Sequence, residues 1–253
     1  MRRNLSLFYE EFHKKIEFQK RIIGKKNFTY RNIIKVLEKH LDRKNKILDI
    51  GCGVGTLDFY LANKGFKVLG IDISKKAVEA CRKNARVLGL GDRLNFERLN
   101  FPEEKPLEKF SLVICSEVLE HLKNDKKAVE VIFDLLRPGG IVIFSTPSQN
   151  APLFRLGLTR KKDKQIGHLR RYTLEELVSL LRKQNPRILE TKRTEGILRN
   201  FLFYSRGGTI PLKIANRFWI ISDLFTFFDN ITLKLFGEAQ IIVVAQKHGK
   251  EKK

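Results

Sequence analysis

Between Lys46 and Ser145 the chain alternates short apolar runs with helical patterns, and this rhythm constrains the fold more than any other feature of the sequence. Ile47–Ile50 precedes the helical stretch Leu57–Asn63, and Lys67–Ile71 precedes Lys75–Leu88. Leu94–Glu97, Leu112–Cys115, the helical Asp125–Leu136 and Ile141–Ser145 continue the series. Strands that stay apolar on successive residues must be covered on both faces, so repeats of this kind predict a parallel sheet between two layers of helices. Pro138, Gly139 and Gly140 are expected to close the helix that begins near Asn124. A helix over Thr173–Gln184, a strand near Ile188–Lys192 and a last strand Gln240–Gln246 bring the count to seven strands. Ahead of the sheet, Phe8, Phe12 and Ile16, then Ile33, Ile34, Leu37 and Leu41, mark amphipathic helices within residues 5–23 and 29–42. The 253 residues fit one domain, since domains commonly run to roughly 100–200 residues.

Charge divides the chain differently. Fifty Lys and Arg against 28 Asp and Glu give a net charge of +22, which suits an anionic partner such as nucleic acid, an acidic lipid surface or a phosphorylated substrate. Residues 1–46 carry 14 basic and 5 acidic side chains, residues 47–147 carry 15 and 14, and residues 148–253 carry 21 and 9. The sheet-forming middle is therefore nearly neutral, and whatever the charge serves lies on the flanks. Such charge also suits a thermophilic host. Cys52, Cys81 and Cys115 are an odd number without CxxC spacing, which points to a reducing, cytoplasmic setting. The apolar stretch from Leu5 ends at Glu10, too early for a signal sequence. No uncharged apolar run approaches the roughly 20 residues that span a bilayer. The greasiest part, Phe218 to Phe228, is broken by Asp223, so contact with a membrane would be peripheral, at its inner surface.

The most specific motif is Lys46-Ile-Leu-Asp-Ile-Gly-Cys-Gly-Val-Gly-Thr56, an apolar strand that ends in a glycine-rich turn and opens a helix. Glycines let the backbone approach a ligand closely, and a helix N-terminus offers unpaired N–H groups. A dinucleotide loop needs its third glycine at position 56, where Thr56 stands; here it falls at Gly55. Asp49 before the turn would repel a pyrophosphate but suits a ligand carrying an ammonium group. The second strand ends in Leu69-Gly-Ile-Asp-Ile-Ser74, which places Asp72 where an acid accepts both hydroxyls of a ribose. A nucleoside with a zwitterionic, unphosphorylated tail fits both features, and S-adenosylmethionine is such a molecule. The bland alternative is a tight turn at Gly51, Gly53 and Gly55, with Asp72 capping the next helix.

With Ser111-Leu-Val-Ile-Cys-Ser-Glu-Val-Leu-Glu-His-Leu122 and Leu136-Arg-Pro-Gly-Gly-Ile-Val-Ile-Phe-Ser-Thr-Pro147, these segments make the chain resemble the class I S-adenosylmethionine-dependent methyltransferases. The likeness is strongest to the small-molecule branch that includes ubiquinone-biosynthesis O-methyltransferases. It runs from about residue 46 to 147, with a looser match over Gly167–Leu177. It implies an α/β, Rossmann-like, doubly wound fold, a mostly parallel seven-stranded sheet with an antiparallel last strand. A helical N-terminal appendage and a helical aromatic-rich insertion before the last strand complete it. One methyltransferase domain is then expected over 1–253: a basic appendage (1–45), a cofactor-binding core (46–147), an acceptor and lid region (148–236), the final strand (237–247) and a basic tail (248–253). By the same resemblance Asp49, Gly51, Cys52 and Gly53 would hold the methionine end, Asp72 the ribose and Ile73 one face of the adenine. Asn100, followed by Phe101, matches the place of an Asp that binds the adenine amino group, and its amide oxygen accepts the same bond.

Methyl transfer is an in-line displacement that needs alignment and exclusion of water, with a base to help when the acceptor is a hydroxyl. Ligands of such sheets lie beyond the strand ends at the switch point, so Cys115, Ser116 and Glu117 are expected to face the cofactor. Glu117, His121 and His168 are the candidate catalytic residues. The run Glu117-Val-Leu-Glu-His121 resembles one that implies a divalent metal in certain quinone O-methyltransferases, with Glu117, Glu120 and His121 as ligands; otherwise the run only steadies the turn. His168 precedes Thr173-Leu-Glu-Glu176, a capping box, and either points at the acceptor from a closing segment or caps a helix.

Residues 197–236 interleave Phe201, Phe203, Tyr204, Phe218, Trp219, Phe225, Phe227, Phe228 and Phe236 with Arg199, Arg206, Lys213, Arg217 and Lys234. This suits an interfacial helix, an apolar acceptor pocket or RNA. The strand ending Cys115-Ser-Glu lacks the Asn/Asp-Pro-Pro-aromatic turn of amino-methylating enzymes, and no Pro-Cys nucleophile is present. The expected activity is methylation, with oxygen favoured, of a small apolar or lipid-like acceptor, with contact to an anionic membrane. An RNA-binding protein or RNA methyltransferase is the alternative.

Overall fold

The computed structural model describes Glu10 and residues 21–249; most of the helix expected within 5–23 and the end of the basic tail fall outside them. The chain runs α1 (Arg31–His40), β1 (Lys46–Ile50), α2 (Thr56–Asn63), β2 (Lys67–Asp72), α3 (Lys75–Val87) and β3 (Leu94–Arg98). It continues through β4 (Phe110–Ser116), a 3-10 turn (Leu119–His121), α4 (Asp125–Leu135) and β5 (Leu136–Pro147). Then come α5 (Pro152–Arg155), α6 (Arg160–Ile166), α7 (Leu174–Arg182), β6 (Arg187–Thr194), α8 (Ile197–Tyr204), α9 (Thr209–Arg217), α10 (Trp219–Phe236) and β7 (Gln240–Gln246).

All seven strands form one sheet in the order β3-β2-β1-β4-β5-β7-β6. β1 to β5 pair in parallel, and β7 inserts antiparallel to both β5 and β6. This is the doubly wound α/β sheet with an antiparallel last strand that the apolar runs and the resemblance imply. Neighbouring strand residues face opposite layers. Leu48, Ile50, Ile71, Val113 and Phe144 pack with Val129, Ile132 and Phe133 of α4 and Leu177 and Leu181 of α7. Ile47, Val68, Leu112, Ile114 and Ile143 pack on the other face with α1, α2 and α3. The strand order reverses between β1 and β4, and this is the crevice in which ligands of open sheets bind.

Two local expectations change. The helix from Asn124 ends at Leu135, before Pro138, because Leu136 already pairs with Phe110 and opens β5. Register then shifts before Leu112 meets Ile141, and a Cβ on Gly140 would lie 2.9 Å from the Arg137 carbonyl oxygen. The two glycines thus serve a bulge in a strand and close no helix. The second correction is α1: Ile33, Ile34, Val36 and Leu37 are buried against the sheet, so this part of the N-terminal region is core and no appendage.

The segment before α1 also fastens the aromatic insertion. Arg31 donates to Thr226 Oγ1 (2.6 Å) and Asp223 Oδ1 (2.8 Å) of α10, and Thr29 donates from its N–H to Asn216 Oδ1 of α9 (3.0 Å). Phe28 is fully buried among Leu202 and Ala215, with Arg199 stacked 3.8 Å over its ring. Two regions far apart in sequence thereby close one roof above the switch point.

Candidate active site

Beyond the ends of β1, β2 and β4, under that roof, lies a cavity of about 580 Å³. A cavity of this size accommodates a cofactor-sized ligand together with part of a second molecule. One side of it is backbone. Gly51 and Cys52 donate N–H bonds to the Ile71 carbonyl oxygen (2.8 and 3.0 Å), so the loop after β1 is pinned to the end of β2. Gly51 and Gly53 both line the cavity in the left-handed region, at φ 70° and 53°. A Cβ at Gly51 would lie 2.5 Å from Val118 Cγ2, whereas Gly53 has nothing within 4 Å and leaves its face open to a ligand. Asp72 Oδ2 accepts the Gly53 N–H (2.9 Å) and Oδ1 the Ser74 N–H (2.8 Å). Asp72 is thus braced between the loop and the start of α3, while Ser74 caps that helix through Ala77. Ile73, Phe101 and Ser116 line the same side.

Four of the residues proposed from the sequence for the cofactor do not line the cavity. Asp49 is buried one layer below, where burial and the neighbouring Asp58 raise its carboxyl well above the usual range. Cys115 is fully buried in the core and does not face the cavity, because side chains alternate along β4 and only Ser116 turns toward it. Cys52 is buried beside Cys81, and Asn100 is exposed, its N–H donating to Glu104 Oε2 (2.8 Å).

The other side of the cavity is made of side chains. Glu117 follows β4 with φ 57°, and its Oε1 accepts from Ser145 Oγ (3.2 Å) and Gln240 Nε2 (3.1 Å). It opens into the cavity, and desolvation there raises its carboxyl above the ordinary value. His168 sits just past the end of α6, with its N–H bonded to the Asp163 carbonyl oxygen (2.9 Å), so it both ends a helix and lines the cavity. Its Nδ1 lies 3.1 Å from Asp163 Oδ1. Despite its burial, bonds from His168 and Arg171 hold Asp163 far below the usual carboxylate range. Asp163 therefore accepts, and His168 Nδ1 donates to it. Arg171 fixes Asp163 through two bonds (2.7 and 3.1 Å), and its own side chain is 2% exposed. Tyr204 of α8 donates to the same Asp163 oxygen (3.0 Å).

The possible metal ligands regroup. Glu117 is held apart by Ser145 and Gln240, and the structure gathers Glu120, His121 and His168, whose candidate ligand atoms lie within 4.8 Å of one another. His121 Nε2 and His168 Nε2 stand 4.0 and 3.9 Å from Glu120 Oε1, and that fully buried oxygen has no hydrogen-bond partner among the described residues. Burial pushes the Glu120 carboxyl well up and His121 down to about 4. The donor set fits a small divalent cation. Sequence reasoning missed Tyr30, Lys162, Asp163, Glu195 and Gln240, and it held Arg171 and Tyr204 only as members of the Gly167–Leu177 segment and the aromatic insertion.

Comparison with known proteins bears on this geometry. The family model described as a methyltransferase domain matches residues 41–196, more than half of the chain. A ubiquinone biosynthesis O-methyltransferase of Paracidovorax citrulli is 33% identical over 162 residues, covering 59% of this chain and 66% of that protein. One of the same name from Idiomarina loihiensis is 32% identical over 127 residues, 48% of this chain and 51% of its own length. The chain thus spans between half and two thirds of these two relatives. Among solved structures, an S-adenosylmethionine-dependent methyltransferase of Methanosarcina mazei superposes with a TM-score of 0.59 at 20% identity, over 85% of this chain and 98% of its own, a likeness of fold. By the family match over residues 41–196, with Gly51, Gly53 and Asp72 lining one cavity, the chain belongs to the class I S-adenosylmethionine-dependent methyltransferases.

Proposed function

We propose that the protein transfers the methyl group of S-adenosylmethionine to a hydroxyl oxygen of a small apolar or lipid-like acceptor. The observation that carries this reading is the continuity of one cavity from Gly51, Gly53 and Asp72 to a chamber lined by Glu117, His168 and Tyr204. The first group suits the cofactor: the Asp72 carboxylate for its ribose, with an open approach over Gly53. The second suits an acceptor beside the transferable methyl. His168 is the proposed base, because Asp163 and Arg171 orient it and leave Nε2 free to take the hydroxyl proton. Glu117 serves to position the acceptor at the end of β4. The roof of α8 to α10 excludes water. The names of the curated relatives support oxygen as the receiving atom and a lipid-tailed aromatic as the kind of acceptor.

Glu120, His121 and His168 are the residues that would hold a divalent cation; a cation there would polarise an acceptor oxygen and would occupy His168 Nε2, taking the place of the proposed base. Activity that survives exhaustive chelation would remove it from the mechanism. His168→Ala should cut turnover far more than cofactor affinity; equal losses in both would end its proposed role.

The outer faces of α9 and α10 support docking on an anionic membrane surface. Ile210, Trp219, Ile220, Phe227 and Leu235 are each at least 60% exposed, and Lys213, Arg217 and Lys234 lie on the same two helices. No helix among the described residues is long and apolar enough to cross a bilayer. Apolar residues beside basic ones are the composition of an interfacial helix. A screen of labelled methyl transfer into lipid, RNA and protein fractions tests the whole reading. Label in the lipid fraction, with cosedimentation on acidic vesicles, is expected; label in RNA would overturn it.

A further inference from the structure

Two of the three cysteines meet beneath the glycine-rich loop. Cys52 stands between Gly51 and Gly53, the two glycines that line the cavity, and Cys81 lies in the second turn of α3. Both side chains belong to one part of the core, with Leu57, Phe59 and Val78, whereas Cys115 lies in the core on the other face of the sheet. Cys81 Sγ donates to the Gly53 carbonyl oxygen (3.2 Å), and a Cβ at Gly55 would come within 3.0 Å of the same sulfur. The Gly55 N–H bonds to the Cys52 carbonyl oxygen (2.9 Å), which closes the turn around that sulfur. The Cys52 thiol is in hydrogen-bond contact with Cys81, and this contact together with burial raises it well above its ordinary value.

The Cys81 thiol therefore has two tasks. It holds the carbonyl of Gly53, whose left-handed φ of 53° and N–H bond to Asp72 (2.9 Å) set the face offered to the cofactor, and it touches the other thiol. A covalent bond between the sulfurs would end the first task, because a sulfur joined to Cys52 has no proton to give Gly53. An S–S bond is also shorter than a thiol contact, so forming it draws residue 52 and the glycines on either side toward α3. The bond would thus deform the one part of the cofactor site whose shape is carried by backbone.

Access to the pair is graded. Cys81 is fully buried and Cys52 is 8% exposed. Thiols so placed stay protonated and react slowly. Gly51 and Gly53 face the cavity, so a ligand lying on them covers the loop that carries Cys52, and an empty cavity leaves it open.

We propose that Cys52 and Cys81 are an oxidation site of the cofactor loop: a peroxide joins them in the unliganded enzyme, and the disulfide shuts out S-adenosylmethionine until a thiol reductant reopens the loop. The two thiols give up two protons and two electrons and form the S–S bond, and hydrogen peroxide takes up both pairs and leaves as two waters. The proposal rests on the cofactor site alone and holds or fails independently of the acceptor.

The test treats the full chain with hydrogen peroxide, with and without saturating S-adenosylhomocysteine. Non-reducing peptide mapping reads the disulfide, and calorimetry reads the affinity for S-adenosylhomocysteine once peroxide and ligand have been removed. The chain holds one methionine, Met1, so peroxide has few other side chains to oxidise. The unliganded wild type should form the Cys52–Cys81 bond and lose roughly tenfold or more in affinity, since one lost hydrogen bond accounts for about a factor of ten. Dithiothreitol should restore the affinity, and protein treated with ligand bound should keep its thiols. Cys52→Ala and Cys81→Ser, each compared with itself before treatment, should show no change on oxidation, and Cys115→Ser should respond as the wild type does. Absence of the disulfide in the unliganded wild type, a disulfide that leaves affinity intact, or a peroxide-dependent loss as large in both Cys52→Ala and Cys81→Ser would overturn the assignment.

Discussion

The two sides of the cavity are built on different principles. The cofactor side is assembled from two short, neighbouring stretches, residues 51–53 and 71–73, and its geometry is carried by backbone N–H groups and left-handed glycines. The side proposed for the acceptor draws on residues 29–33, 117–122, 162–171, 195–204 and 239–240, and its geometry is carried by side chains fixed through Asp163, Arg171 and Gln240. A backbone site tolerates no change of shape but little depends on distant parts of the fold. A side-chain site can be re-specified residue by residue, and it depends on every segment that holds the roof. One fold can therefore keep its cofactor while its acceptor changes.

Perturbations that strike one side alone sharpen this contrast. The largest effect is expected from Arg171→Met, which leaves the buried Asp163 without its cation. Breaking such a pair costs about 3–5 kcal/mol; the Tm should drop by roughly 10 °C for a domain of this size. Acceptor binding should fall with it, whereas S-adenosylhomocysteine affinity measured at low temperature should hold. Asp72→Ala strikes the other side: losing a charged hydrogen-bond partner should weaken S-adenosylhomocysteine by roughly 10–100-fold in calorimetry, with acceptor-side residues undisturbed.

A smaller effect lies beneath the cofactor side. A Cβ on Gly70 would come within 2.7 Å of the Phe96 ring and 2.8 Å of Asp58 Oδ1. Gly70→Ala should therefore destabilise by about 1–3 kcal/mol in denaturant titration. A separate effect is one of pH. Asp58 is fully buried beside Asp49, and desolvation pushes its carboxyl from 3.8 up to about 7. Folded protein then holds a proton that the unfolded chain has released. The stability this contributes is full below about pH 4 and is lost as pH rises to about 7. Wild-type Tm should decline across that window, and Asp58→Asn should flatten the decline.

What the sequence revealed follows the same division. The inner strands were legible because both faces of each are buried, which leaves continuous apolar runs such as Ile47–Ile50 and Leu112–Cys115. Thr173 and Glu176 announced their capping box, and the structure has both of its bonds. Gly51, Gly53 and Asp72 were legible because loop chemistry and spacing are local. Pro138-Gly-Gly misled because the same residues end helices and permit bulges, and only the pairing of Leu136 with Phe110 decides between them. Cys115 misled by a single residue of register. Asp163, Arg171 and Glu195 carry no local signature at all: a buried ion pair and a glutamate held in the left-handed region look, in sequence, like surface charges in a basic flank.

The most direct test of the division is calorimetric binding of S-adenosylhomocysteine to three proteins: wild type, Gly53→Val and Glu117→Gln. Gly53→Val places a branched side chain in the left-handed loop facing the ligand, and it should abolish measurable binding. Glu117→Gln touches only the acceptor side and should bind as the wild type does. Full binding by Gly53→Val, or a loss in Glu117→Gln as large as in Gly53→Val, would contradict a cofactor site made of backbone and an acceptor site made of side chains.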